Sequence, residues 1–325
     1  MKKFIYTIIA VLTAVNFCYA GTGEISGEFL LMPVGPKAYA LGSSMVADGN
    51  EPLSLFYNPA NSASFEAASV SLGQTYYLID SKIEYFAFSV PITNESHIGI
   101  GVNVFYTEPI DVYTWDSPEK SNDQYDVSYN SFVLNYALEL SPKIFFGING
   151  KLYKEEIANI MATTTLFDFG FKLNLGGKGA VGVAVQNLGK GLTFDKDRAQ
   201  TEEERIYLAD YEIPTETLPM NILIGGNYEV IKNLTITAQA AIAGKAGTLI
   251  SAGAEYMLFG VIPLRFGYTN TDNGGIAFGS GFNFNFYKFE DEIRKDVMTM
   301  GIDYTYVPFT DIGDTHHIGI KILFK

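Results

Sequence analysis

From Ala67 to Phe324 the chain alternates apolar and polar residues with a period of two, with few interruptions. Only extended backbone sends successive side chains to opposite faces, so this pattern excludes a helical fold for most of the chain. Fourteen runs can be read: 67–77, 83–92, 97–106, 125–140, 144–154, 164–175, 180–187, 217–230, 234–243, 248–258, 261–269, 274–286, 297–307 and 315–324. In the sixth, Thr165, Phe167, Phe169, Phe171, Leu173 and Leu175 share one face, and Asp168, Gly170, Lys172 and Asn174 the other. Several runs reach the roughly 9–11 residues that a tilted strand needs to cross a bilayer.

Soluble sandwiches alternate too, and three features point elsewhere. The run count is even, which brings the first and last strands to one rim. Connections alternate in length. The short ones, Thr93–Ser96, Ser141–Lys143, Gly176–Gly179 and Ile231–Asn233, fall on one side; the long ones, 107–124 and 188–216, fall on the other. Tyr287–Asp296 is a longer turn than this rule expects. Finally, one face is rich in glycine: Gly99, Gly101, Gly147, Gly170, Gly182, Gly253, Gly267, Gly279, Gly281, Gly301 and Gly319. Glycine weakens a strand, so a row of them signals close approach of another backbone. The same face carries four acids and four bases, Glu139, Asp168, Glu255 and Asp303 with Lys151, Lys172, Arg265 and Lys321, as suits a polar lumen. The expected fold is all-β: a 14-stranded antiparallel transmembrane β-barrel with a small N-terminal helical hatch in its lumen.

Composition agrees. There are 24 Phe, 21 Tyr and 32 Gly but one Trp, and no later segment is long and apolar enough for a membrane helix. Met1–Ala20 carries Lys2 and Lys3, an apolar core and the small-x-small end Cys18-Tyr19-Ala20, the form of a cleavable secretory leader. Its loss takes the lone cysteine, excluding a disulfide or thiolate site, and moves the formal charge from −14 to −16. That balance, without a basic run, excludes nucleic acid as a partner and leaves outer-membrane lipid as the expected surroundings. The expected division is 1–20 leader, 21–66 hatch and 67–325 barrel, in a bacterial outer membrane with both termini periplasmic.

The hatch lies in Gly35–Ala60, GPKAYALGSSMVADGNEPLSLFYNPA. Pro36 opens a short helix with Ala38, Leu41 and Met45 on one stripe, and Asp48-Gly49 supplies a stop. A second helix is expected from Pro52, ending near Asn58, because a residue before proline is steered out of the α region. This segment is too small to fold alone and needs a barrel to pack inside.

No cofactor, metal or catalytic site is expected. Gly177–Gly182 spells G-x-G-x-x-G, but a strand follows it where a dinucleotide site needs a helix, so it reads as a hairpin turn. His316 and His317 are adjacent and face opposite ways, and His97 reads as a polar residue at a strand end. His317 is the one base a barrel-wall lipid-modifying enzyme could use, and that enzyme is the lowest-ranked function. Tyr113, Trp115 and Tyr125 suit an outer aromatic girdle, and Thr201 could cap a short helix over the acidic run Glu202–Arg205.

The hatch resembles the N-terminal signature of the PorV/PorQ family of outer-membrane proteins, distant relatives of the FadL long-chain fatty-acid transporters. Gly35, Ala38, Ala40, Gly42, Asp48 and Asn58-Pro59-Ala60 carry the likeness, and Asp311–Phe324 resembles the family's closing hairpin. The PorV/PorQ likeness implies docking or shuttling of secreted cargo, with secretion-system components of the type IX apparatus as partners. The FadL likeness implies the alternative, passive uptake of hydrophobic small molecules past a shifting hatch. Both imply fourteen strands and a non-enzyme, and the signature places docking first.

Overall fold

A computed structural model of the chain describes residues 26–113, 124–158, 160–195, 215–244, 247–270, 275–290, 293–309 and 313–324. The leader, Trp115, the acidic run 202–205 and Lys325 lie outside the described residues. The strands are β1 Ser69–Tyr76, β2 Lys82–Pro91, β3 Ser96–Tyr106, β4 Ile110–Asp111, β5 Gln124–Tyr125, β6 Val127–Ser141, β7 Ile144–Ile157 and β8 Ile160–Asn174. They continue as β9 Gly179–Gly189, β10 Asn221–Ile231, β11 Leu234–Ile242, β12 Thr248–Leu258, β13 Ile262–Thr269, β14 Ile276–Glu290, β15 Ile293–Phe309 and β16 Gly313–Phe324. β4 and β5 form a separate two-stranded ribbon in the connection after β3.

The other fourteen strands close into one antiparallel barrel, each pairing its neighbour along the chain. Between Ser69↔Leu323 and Tyr76↔His316, β1 pairs β16 and completes the ring. Closure leaves no open strand edge, so the wall backbone pairs strand to strand rather than with water, bulges at four of the pairings aside. β1 begins and β16 ends at the same rim, called here the terminal rim. The strand ends that the two long connections join, of β3 and β6 and of β9 and β10, lie at the opposite rim.

One exception in the sequence pattern disappears. Tyr287–Asp296 is not a long turn, because β14 runs to Glu290 and β15 starts at Ile293. Lys288, Glu290, Arg294 and Lys295 put charge at both parities there, which hides the period of two. The glycine motif is a hairpin turn as expected, with Gly176 and Gly177 at φ 82° and 86° ahead of β9.

Outward side chains make an apolar band around the wall. Phe167, Phe169 and Phe171 are 46%, 38% and 52% exposed, and Phe282, Phe284 and Phe286 40–45%. An apolar ring of this extent requires lipid around it. Phe169→Arg should therefore impair assembly, since a cation near the midplane of the lipid face costs about 2–4 kcal/mol. Lys172→Ala, on the inward face, should be milder. Heat-modifiable gel migration checks the order, and equal damage from both would contradict these faces.

Candidate functional site: the hatch and the cavity over it

The chain before β1 fills the lumen. Gly35 at φ 90° precedes a helix at Pro36–Ala40, and 3-10 turns follow at Pro52–Phe56 and Pro59–Ser64. The first helix stops earlier than the expected Asp48-Gly49. Gly42 and Ser43 take φ 61° and 70°, and two successive left-handed residues end a helix. The second stops as expected, since Asn58 is extended ahead of Pro59. The third turn was not legible in the sequence. Asn58 starts it by accepting Ala60 N–H at 3.0 Å on its side-chain oxygen.

The wall glycines are where the hatch touches. A Cβ on Gly147 would strike the Pro59–Ala60 backbone, one on Gly182 the Val46 carbonyl, and one on Gly267 the Gly42 nitrogen. Gly170 faces Asn58, Gly253 faces Leu41, Gly279 faces Ala40 and Gly319 faces the Pro36 ring. Gly99 and Gly101 face Leu55 and Phe56. Gly281 and Gly301 serve differently, making room for Asp303 and Lys321 of the wall. Ala38, Ala40 and Ala60 are fully buried, because larger side chains would hold the two backbones apart.

Hydrogen bonds from wall side chains fasten the hatch backbone. Gln239 Oε1 accepts Met45 N–H (3.1 Å) and Val46 N–H (2.9 Å). Gln186 Nε2 donates to Phe56 O (2.7 Å) and Tyr57 O (3.1 Å), and Asn149 Nδ2 to Leu55 O (3.0 Å). Asn135 Nδ2 donates to Pro59 O (3.1 Å), Asn227 Nδ2 to Ala47 O (3.2 Å) and Thr305 Oγ1 to Pro36 O (2.7 Å). In return, Asn58 Nδ2 donates to Val46 O (2.7 Å) within the hatch and to Phe171 O (3.0 Å) of β8. Each bond satisfies a backbone group that an irregular buried segment would otherwise leave orphaned. These clamps are not among the sequence expectations, which rest on inward glycines and inward charges. Inward amides were the available signal, two of them opposite glycine: Asn135 beside Gly99 and Gln239 beside Gly225.

The charged lumen residues form two clusters. Lys151 pairs with Asp168 at 2.8 Å, and Asp168 also accepts Asn149 Nδ2 and Asn187 N–H, both at 2.9 Å. Arg265 reaches Glu255 and Asp303, each at 2.6 Å, and Lys321 joins Asp303 at 2.8 Å. Lys321 also approaches Glu51 of the hatch at 3.9 Å. Lys172 donates to Ser64 Oγ at 2.9 Å, whereas Glu139 forms no ion pair among the described residues. Inside the hatch, Lys37 and Asp48 pair at 2.7 Å. Burial alone would raise the Asp48 carboxyl, but the Lys37 ammonium, the Asn50 N–H and Lys172 together outweigh it and hold the group below its usual range. Burial lifts the Glu51 carboxyl above that range, because distant Lys321 compensates only in part.

His317 is an internal fastening. It sits between Thr75 Oγ1 (2.8 Å) and Thr315 Oγ1 (2.9 Å), and the Tyr39 ring of the hatch stacks on it at 3.7 Å. His97 faces inward near the start of β3, with Nε2 2.6 Å from Phe65 O.

The segment ahead of the hatch was expected only as part of 21–66, and its place is informative. Phe29 packs with Phe105, Tyr129 and Tyr153 on the far-rim half of the wall, and a Cβ on Gly27 would strike Leu218. The described chain therefore begins beside the far-rim half of the wall and descends to the hatch, although β1 starts at the terminal rim. Between this segment, the hatch and the wall lies a cavity of about 410 Å³. Its lining is mainly apolar, with Leu30, Met32, Phe56, Leu223, Leu249 and Phe309 among the residues. That volume lies within the roughly 300–1,000 Å³ of small-molecule sites.

Solved structures share this architecture. The CymD monoaromatic hydrocarbon channel is 11% identical with a TM-score of 0.58, covering 89% of this chain and 96% of its own. The Pseudomonas putida toluene transporter TodX is 11% identical at 0.58, covering 94% and 98%. A Pseudomonas aeruginosa FadL homologue is 12% identical at 0.55, covering 90% and 98%. At such identities the likeness is one of fold: the chain is a closed fourteen-stranded antiparallel barrel, and the FadL homologue is similar to it in that fold. No family model matches the sequence, and no curated protein matches it.

Proposed function

We propose that this protein is a hatch-closed channel that passes small hydrophobic molecules across a bacterial outer membrane, with the terminal rim in the periplasm. The observation that carries this reading is the apolar cavity seated directly on the hatch. The solved neighbours include a hydrocarbon channel and a toluene transporter, which supports uptake over the cargo docking that the PorV/PorQ-like signature places first. A solute held in the cavity meets a floor fastened by a few directed side-chain bonds, so passage requires the hatch to shift.

Gln239→Leu removes the acceptor for two buried hatch N–H groups, each costing about 1–3 kcal/mol when orphaned. In proteoliposomes it should speed entry of toluene several-fold over the intact protein. No toluene flux through either protein would contradict the channel reading.

A further inference from the structure

One carboxylate of the hatch is buried against the wall with only a distant counter-ion. Glu51, which precedes the turn at Pro52, is 3% exposed, and Lys321 Nζ stands 3.9 Å from its Oε2. The cations that act on it are Lys321 of β16, Lys37 of the hatch and Arg265 of β13. Each is already held more closely by another carboxylate. Lys321 lies 2.8 Å from Asp303, Arg265 2.6 Å from both Asp303 and Glu255, and Lys37 2.7 Å from Asp48. Asp303 of β15 adds repulsion, and Tyr57 of the hatch and Tyr85 of β2 also face the group. A carboxyl in such surroundings is better accommodated as the neutral acid than as the anion.

Burial lifts the seated Glu51 carboxyl above its ordinary range, whereas a displaced hatch would hydrate it and return it to about 4.3. The seated form then binds the proton more tightly. Seating is strongest below about pH 4.3 and weakens as the pH rises through the lifted value. Lys37 and Asp48 keep their charges across that window, because pairing outweighs burial and moves Lys37 up and Asp48 down. We propose that Glu51 is a proton-operated latch, which holds the hatch seated in acid and eases its displacement as the surroundings approach neutrality. A channel built in this way admits solute at neutral pH and shuts in acid. This names a regulation of the proposed channel and rests on that reading.

Toluene carries no titratable group, so its entry into phosphatidylcholine proteoliposomes reports the protein's own response to pH. Entry through the full chain is measured with protein-free liposomes subtracted at each pH. It should be about three- to tenfold faster at about pH 7.5 than at about pH 4.5, since one proton changes an equilibrium by at most about tenfold per pH unit. Glu51→Gln, an uncharged mimic of the acid form, should keep the slow rate at both pH values. Glu51→Ala should likewise show no dependence on pH, and heat-modifiable migration shows that each variant is folded. His317 under Tyr39 and His97 beside Phe65 also touch the hatch. A pH response that survives in both variants would belong to such groups and overturn the latch. Equal entry at the two pH values through the intact chain, or faster entry in acid, would also overturn it while leaving the channel reading in place. So would failure of both variants to fold, which would make Glu51 a structural group. No entry above protein-free liposomes at either pH would overturn the channel reading and the latch with it.

Discussion

Gly267→Leu should leave the barrel inserted and expel the hatch. Gly267 faces inward on β13, and any Cβ there would strike the Gly42 nitrogen and come within 2.6 Å of Ala40 O and Leu41 C. All three are backbone atoms, so no side chain can swing aside. Overpacking a core commonly costs about 1–3 kcal/mol when neighbours can adjust, and here the neighbour is a left-handed turn at φ 61° with little freedom to do so. The wall is held by fourteen backbone ladders and the hatch by isolated side-chain bonds, so the hatch yields first. Gly150→Leu is the control, since Gly150 in β7 has open space where its Cβ would stand. The measurement is protease cleavage between residues 35 and 60 in reconstituted vesicles. Rapid cleavage in Gly267→Leu, with the intact protein and Gly150→Leu both resistant, is expected. Resistance in all three would mean that the glycine face is not what seats the hatch.

Much of this was legible in the sequence because two signals were redundant. Period-two alternation fixed the faces of each strand, and the inward glycines marked where backbone meets backbone. Gly147, Gly182 and Gly267 fall on the inward parity of their strands, and each lies against the hatch backbone. The signals failed where physics other than burial decides. Charges at both parities concealed the strand ends near Glu290 and Ile293. The Gly42-Ser43 stop was overlooked because serine does not advertise a positive φ. The amide clamps were invisible because Asn135, Asn149, Gln186 and Gln239 read as ordinary polar lumen residues until the hatch carbonyls and N–H groups lie opposite them. The cavity depends on Phe29–Val34, a short segment whose place in the lumen is set by contacts distant in sequence, such as Phe29 with Tyr153.

The largest effect should come from removing the hatch itself. Wall glycines leave a space that wall side chains do not fill, and Gly35–Ala60 occupies it with fully buried small residues. Without that segment, the surfaces of Lys172, Arg265, Asp303 and Lys321 would face an empty lumen and hydrate, since buried charge is retained only when paired or wetted. An apolar hole would stay dry, but a charge-lined one fills and conducts. Deletion of residues 35–60 should therefore give a barrel that still inserts and still shows heat-modifiable migration. In planar bilayers its single-channel conductance should exceed that of the intact protein many-fold. If the deleted barrel inserts normally and conducts no more than the intact chain, Gly35–Ala60 is not the closure of the lumen, and a hatch-gated channel is contradicted.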